Sequence, residues 1–243
     1  MLREADKAAE FFAKNLDRVL EDLSSDVSAL VGQAKKSRNI FDAAALLENR
    51  EGFLQALEDS GYVDLADAHV KKYPNIIKEV QDDLKDVGIP AANLTKVNTA
   101  NLAKIAEADF EGFMVIGEKA MDDLRRGLFD RAIRSEPMSK MTALIRESIV
   151  GVDKKGSPLS RYAKTYANTA ALHFNGEVLR EIGESLGAEK WEVVGPLDDV
   201  TRDECRDALM DPVRTTEEWQ DVDYWGGAPG GWNCRHQLYP VKP

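Results

Sequence analysis

The stretch LREADKAAEFFAKNLDRVLEDLSSDVSALVG (residues 2–32) decides the fold class. Its apolar residues Ala8, Phe11, Phe12, Leu16, Val19, Leu20, Leu23, Val27, Leu30 and Val31 recur at spacings of three and four, which aligns them along one side of an α-helix. Gly32 is the expected stop. The same periodicity returns along most of the chain. Segments of about 40–57 and 63–87 follow, the latter with a break expected at Pro74, which removes a backbone donor and disfavours helical geometry at Tyr73. Gly88-Ile89-Pro90 closes this group, and a polar connection runs through Asn93, Thr95 and Asn98.

A long helix is expected from about Asn101 to Ile133, striped by Leu102, Ile105, Phe110, Phe113, Ile116, Ala120, Leu124 and Leu128. Gly112, Gly117 and Gly127 interrupt it, each costing about 1 kcal/mol relative to Ala, so packing must hold the helix or it breaks near one of them. Two more helices, 139–150 and 159–186, flank the flexible loop Gly151-Val152-Asp153-Lys154-Lys155-Gly156-Ser157-Pro158. From Trp191 the apolar period shortens and Gly and aromatics become dense, which implies a small α/β or irregular module. The expected architecture is mainly α: a helical N-terminal region (1–98), central helices (99–158), both elongated, and a small C-terminal α+β module (159–243).

The 243 residues are 43% hydrophobic and 31% charged with a net charge of -11, the balance of a globular chain and not of one whose whole surface tracks phosphates. A local exception is the basic stretch 131–164, with Arg131, Arg134, Lys140, Arg146, Lys154, Lys155, Arg161 and Lys164 against Glu136, Glu147 and Asp153. It reads either as a solvated helix face or as a DNA contact. The start, Met1-Leu2-Arg3-Glu4-Ala5-Asp6, leads into no apolar signal region, and no apolar run approaches the roughly 20 residues of a spanning helix. Cytoplasmic synthesis without a membrane role is the expectation.

Two cysteines make no disulfide framework. Thr201-Arg202-Asp203-Glu204 has capping-box spacing, so a short helix should begin at Arg202, with Val200 and Cys205 as a hydrophobic staple and Leu209 one turn beyond. Residues 232–239 alternate in the manner of a strand, which places Cys234 and His236 on one face. Cys205, Cys234 and His236 should therefore lie close together. Three readings stay open for them: ordinary buried thiols and imidazole, a structural zinc site with Asp198 or Asp203 as fourth ligand, or a Cys205–Cys234 disulfide. Without that zinc, no cofactor is expected. His69 and His173 lie in helices as packing or surface residues, and no phosphate loop, nucleophile elbow or His-Glu-x-x-His is present, which leaves a hydrolase or nuclease as a third-rank idea.

Gly195-Pro196-Leu197-Asp198-Asp199-Val200-Thr201-Arg202-Asp203-Glu204-Cys205, followed by Trp232-Asn233-Cys234-Arg235-His236-Gln237-Leu238-Tyr239-Pro240-Val241, resembles the ending of phage Mu F-like head morphogenesis proteins. That ending pairs an Asp-x-x-Thr-Arg-x-x-Cys element with a terminal Asn-Cys-Arg element. Asp198, Thr201, Arg202, Cys205, Asn233, Cys234 and Arg235 match it position by position, and the helix through Asn168-Thr169 fits the family's order. The chain departs from it where many members carry a second Cys, here His236, and where many carry His-Pro, here Gly231-Trp232. The resemblance covers about 159–241. It implies a minor capsid protein of the virion that assembles with the portal and with other capsid or scaffold proteins, in some relatives near the packaged DNA.

Overall fold

The computed structural model describes residues 3–37, 40–86, 88–89, 98–153, 156–225 and 229–241. The chain is mainly α. The first helix, α1 (Arg3–Gln33), runs through Gly32 instead of stopping there, and its stripe Ala8, Phe12, Leu16, Val19, Leu20, Leu23, Val27 and Val31 is buried. A two-stranded ribbon follows, β1 (Lys35–Ser37) and β2 (Ile40–Phe41). The segment expected as one helix to Leu57 is two, α2 (Ala43–Glu48) and α3 (Arg50–Asp59). Asn49 divides them because its side-chain oxygen accepts from Gly52 N–H and starts a new helix. The break near Pro74 is present between α4 (Tyr62–Val70) and α5 (Tyr73–Asp86), with Pro74 in the first turn of α5, where no donor is needed.

The helix α6 (Thr99–Ile133) is continuous across all three glycines. A methyl group at Gly112 would overlap the Tyr166 ring, at Gly117 it would strike Leu57 and Tyr62, and at Gly127 it would press on Leu144. Close packing at these bare backbone positions therefore offsets their poor helix propensity. Beyond α6 come α7 (Met138–Ile149) and α8 (Pro158–Ser185), near the expected bounds. The connection through Asn93 and Thr95, the lysines Lys154 and Lys155, and residues 226–228 of the stretch Gly226-Gly227-Ala228-Pro229-Gly230-Gly231 lie outside the described residues.

Contacts group the chain into two compact units, and neither is a contiguous stretch. One comprises residues 1–10, 69–109 and 167–243, the other 11–68 and 110–166. Long helices such as α6 and α8 contribute residues to both units. The second unit is built around Phe12, Tyr62 and Phe113, with the Tyr62 hydroxyl donating to the Phe113 carbonyl at 3.1 Å.

In the first unit, Tyr73, Ile76, Val80 and Leu84 of α5 pack with Leu172, Val178, Leu179 and Ile182 of α8. The same unit carries the C-terminal sheet, a three-stranded antiparallel arrangement in the order β4 (Val213–Thr215), β3 (Lys190–Val194), β5 (Gln237–Pro240). Along β3 exposure alternates, turning Trp191 and Val193 inward against α9 (Asp203–Met210) and α10 (Thr216–Asp221). Trp191 donates to Thr216 Oγ1 at 3.0 Å and Trp219 to the Trp191 carbonyl at 3.1 Å, so neither buried indole N–H is orphaned. Burying each indole stabilises the module by about 5 kcal/mol on area grounds.

Three local expectations are corrected. The helix α9 starts at Asp203 with Arg202 as its cap and no side-chain capping bond, because the Thr201 hydroxyl is engaged upstream. The capping box forms at Thr215 and Glu218 instead, heading α10. Val200 is 75% exposed, so it staples nothing, although Cys205 does face inward. The last strand begins at Gln237, not Trp232, since Asn233 adopts a left-handed φ of 55° that interrupts extended geometry.

Candidate metal centre

The turn before α9 is organised by Asp198. Its backbone N–H donates to Thr201 Oγ1 at 2.9 Å, and its carboxylate accepts from Val200 N–H at 3.2 Å. Arg235 grips both carboxylate oxygens at 2.7 Å each, a bidentate pair that joins the two halves of the sequence motif. With Arg235 alongside, Asp198 stays ionised far below the usual carboxylate range. Arg206, one turn into α9, donates to the carbonyls of Asp198 and Thr201 at 2.6 and 3.0 Å. Arg202 reaches the Trp232 carbonyl at 3.1 Å. Asn233 is held from α8: its N–H donates to Thr169 Oγ1 at 3.1 Å and its side-chain oxygen accepts from Asn168 at 3.1 Å.

These bonds deliver Cys205, Cys234 and His236 to one point. Each is 2% exposed, and their ligand atoms lie within 4.8 Å of one another. They arrive by a route other than strand alternation: Cys205 from the first turn of α9, Cys234 from a turn closed by its N–H to the Gly231 carbonyl, and His236 just ahead of β5. Both cysteines are free thiols, so the disulfide alternative drops out.

The chemistry of the donors fits a metal. His236 Nε2 lies 3.0 Å from the Pro196 carbonyl, an acceptor, so that nitrogen carries the proton. Nδ1 is then a bare lone pair, 3.8 Å from Cys234 Sγ. A ligating histidine is commonly fixed in this way by a carbonyl behind it. Burial lowers the His236 pKa, which keeps the ring neutral. Burial also pushes the Cys205 thiol up, the opposite of what an activated nucleophile needs. Gly230 N–H donates to Cys234 Sγ at 3.2 Å, and a Cβ at Gly230 would come within 2.8 and 2.9 Å of the two sulfurs. Gly195 is equally constrained, lying against the His236 ring. Around one zinc, with bonds of roughly 2.0–2.3 Å, neighbouring ligand atoms sit roughly 3.3–3.8 Å apart, so only slight contraction is required.

Neither carboxylate named as a fourth ligand belongs to this group. Asp198 is committed to Arg235 and Thr201, and Asp203 stands exposed in the first turn of α9. Four contributors had no sequence signal of their own: Arg206, Tyr224, Gly195 and Gly230. Gly195 was visible only as the first residue of the stretch quoted for the resemblance, Gly230 only as one of the dense C-terminal glycines, and Tyr224 only as one aromatic among many.

Elsewhere, His69 is fully buried with Nδ1 3.1 Å from the Ala8 carbonyl, and His173 is half-buried beside Glu177 at 3.8 Å. Both are packing or surface residues. Several cations of the basic stretch are paired: Arg131 with Glu136 at 2.7 Å, Arg146 with Glu21 at 3.7 Å, and Lys164 with Asp17 at 2.7 Å. Among the described residues, no helix is long and apolar enough to cross a membrane.

No family model matches the chain, and no solved structure matches it. Among curated proteins it is similar to the chaperone protein ClpB of Mycobacterium bovis and of Mycobacterium tuberculosis, 31% identical over 152 residues in each. That alignment takes in 58% of this chain but only 17% of the length of those relatives. It assigns the chain to no family and carries no activity to it.

Proposed function

We propose that this chain is a bacteriophage minor head protein that acts in head morphogenesis at the portal, a structural and not a catalytic part of the virion. The observation that carries the reading is the meeting of its two separated motif elements. Asp198 and Arg202 on one side bond to Arg235 and Trp232 on the other, Thr201 braces Asp198 within the first element, and Cys205 meets Cys234 beneath them. Residues matched to a family by sequence alone thus share one structural task, the closure of a small module. The proposal extends to a structural zinc held by Cys205, Cys234 and His236. Burial of all three leaves a bound ion no substrate-accessible face, which supports a closed site over a hydrolytic one.

The test is binding to the purified portal protein of the genome that encodes this chain, followed across a salt series. Docking through helix faces predicts a complex that persists as salt rises, whereas contact with DNA through residues 131–164 predicts a log-linear loss of affinity. Absence of any portal complex, together with salt-sensitive DNA binding, would replace the assembly reading with the DNA-contacting one.

A further inference from the structure

The three-donor group leaves the fourth position of a tetrahedral zinc to be found. Tyr224 follows Asp223, whose left-handed φ of 53° turns the chain inward after α10, and its N–H donates to the Trp219 carbonyl at 2.9 Å. The ring packs on Trp219 at 5.4 Å, which fixes its direction. Tyr224 is 4% exposed, and its hydroxyl is fully buried without an oxygen or nitrogen partner. Tyr224 shares one buried cluster with Cys205 and Cys234. A buried phenol ordinarily finds a hydrogen-bond partner, so an orphaned one packed in the same cluster as two thiols demands an explanation.

We propose that the Tyr224 oxygen is the fourth zinc ligand, completing a Cys2HisTyr site with Cys205, Cys234 and His236. This rests on the zinc reading above and names the donor it lacks. The charge balance is ordinary. Zinc with two thiolates, one phenolate and a neutral imidazole carries one net negative charge, the same as a Cys3His site. The Arg202 guanidinium, beside Gly230 and acting on Cys205, offsets that charge. On binding, the two thiol protons and the phenol proton leave to solvent and three bonds to the metal replace them. Without metal the phenol keeps its proton at neutral pH, as a phenol with an ordinary pKa of about 10 does. Direct bonding to a dication reverses this, as it does for zinc-bound water.

The experiment adds zinc to the metal-free full-length protein and to Tyr224→Phe, which keeps the ring and removes only the oxygen. Three readouts are taken: zinc stoichiometry by elemental analysis, the ultraviolet difference spectrum, and proton release by calorimetry in buffers of different ionisation enthalpy. The wild type should bind one zinc with a tyrosinate absorbance and release about three protons, against about two for the variant with affinity at least tenfold weaker. Should Tyr224→Phe fail to fold, the wild-type difference spectrum alone decides. Zinc uptake by the wild type with no tyrosinate signal overturns the ligand assignment and leaves the zinc reading standing. No zinc uptake by the wild type overturns both.

Discussion

Arg235 closes on Asp198 through two hydrogen bonds of 2.7 Å, tying the loop after β5's partner strand β3 to the turn that enters β5 itself. Both side chains are partly exposed, at 38% and 42%, so the pair is screened and its role is chiefly geometric. Because the Asp198 pKa is depressed, with Arg235 the first cause, the contribution is present above the unfolded value near 3.9 and is lost as pH falls below it. Asp198→Asn should therefore flatten the acid limb of the thermal midpoint below about pH 4. An acid limb as steep in the variant as in the wild type would show that the pair does not couple to folding.

Thr201 and Thr215 separate two roles that look alike in sequence. Thr215→Ala should cost about 1 kcal/mol as a lost helix cap. Thr201→Val should cost about the same by stranding the Asp198 N–H, with no effect on the helicity of α9. Denaturant midpoints with unchanged m-values measure the first effect in both, and segment-resolved amide exchange separates them. Faster exchange at the start of α9 in Thr201→Val would restore the capping reading.

The helical glycines predict opposite signs for one substitution. Gly112→Ala should destabilise by about 1–3 kcal/mol despite the better helix propensity, because the methyl meets Tyr166. Gly32→Ala meets nothing within 4 Å and should stabilise by up to about 1 kcal/mol. Thermal midpoints moving in the same direction would contradict the packing account of α6.

Burial lowers the pKa of His69 to about 4, and its Nδ1–H donates to the Ala8 carbonyl. A neutral folded histidine with an unfolded value near 6.5 contributes stability above that pH and loses it progressively down to about 4, on the order of 3 kcal/mol in all. Nuclear magnetic resonance of the imidazole should find it neutral at pH 5. A midpoint near 6.5 would mean the ring is solvated.

Long amphipathic helices were legible because periodicity is local: the stripe of α1 and the break at Pro74 needed no tertiary knowledge. The meeting of Cys205, Cys234 and His236 was legible in outcome but not in route. The left-handed Asn233 is held by Asn168 and Thr169, partners some 65 positions away. Tyr224 could not be singled out from sequence, since its value depends on where Asp223 turns the chain. The cap at Thr201 failed for the same reason: its hydroxyl had a competing use with Asp198 that spacing does not reveal.

If the chain is the head protein proposed above, the most direct test is the composition of particles made from the genome that encodes it, with its gene intact and deleted. The account predicts that the protein is found in purified proheads with the portal, and that deletion yields defective heads. Normal, infectious heads from the deletion, with no trace of the protein in particles made from the intact genome, would contradict it.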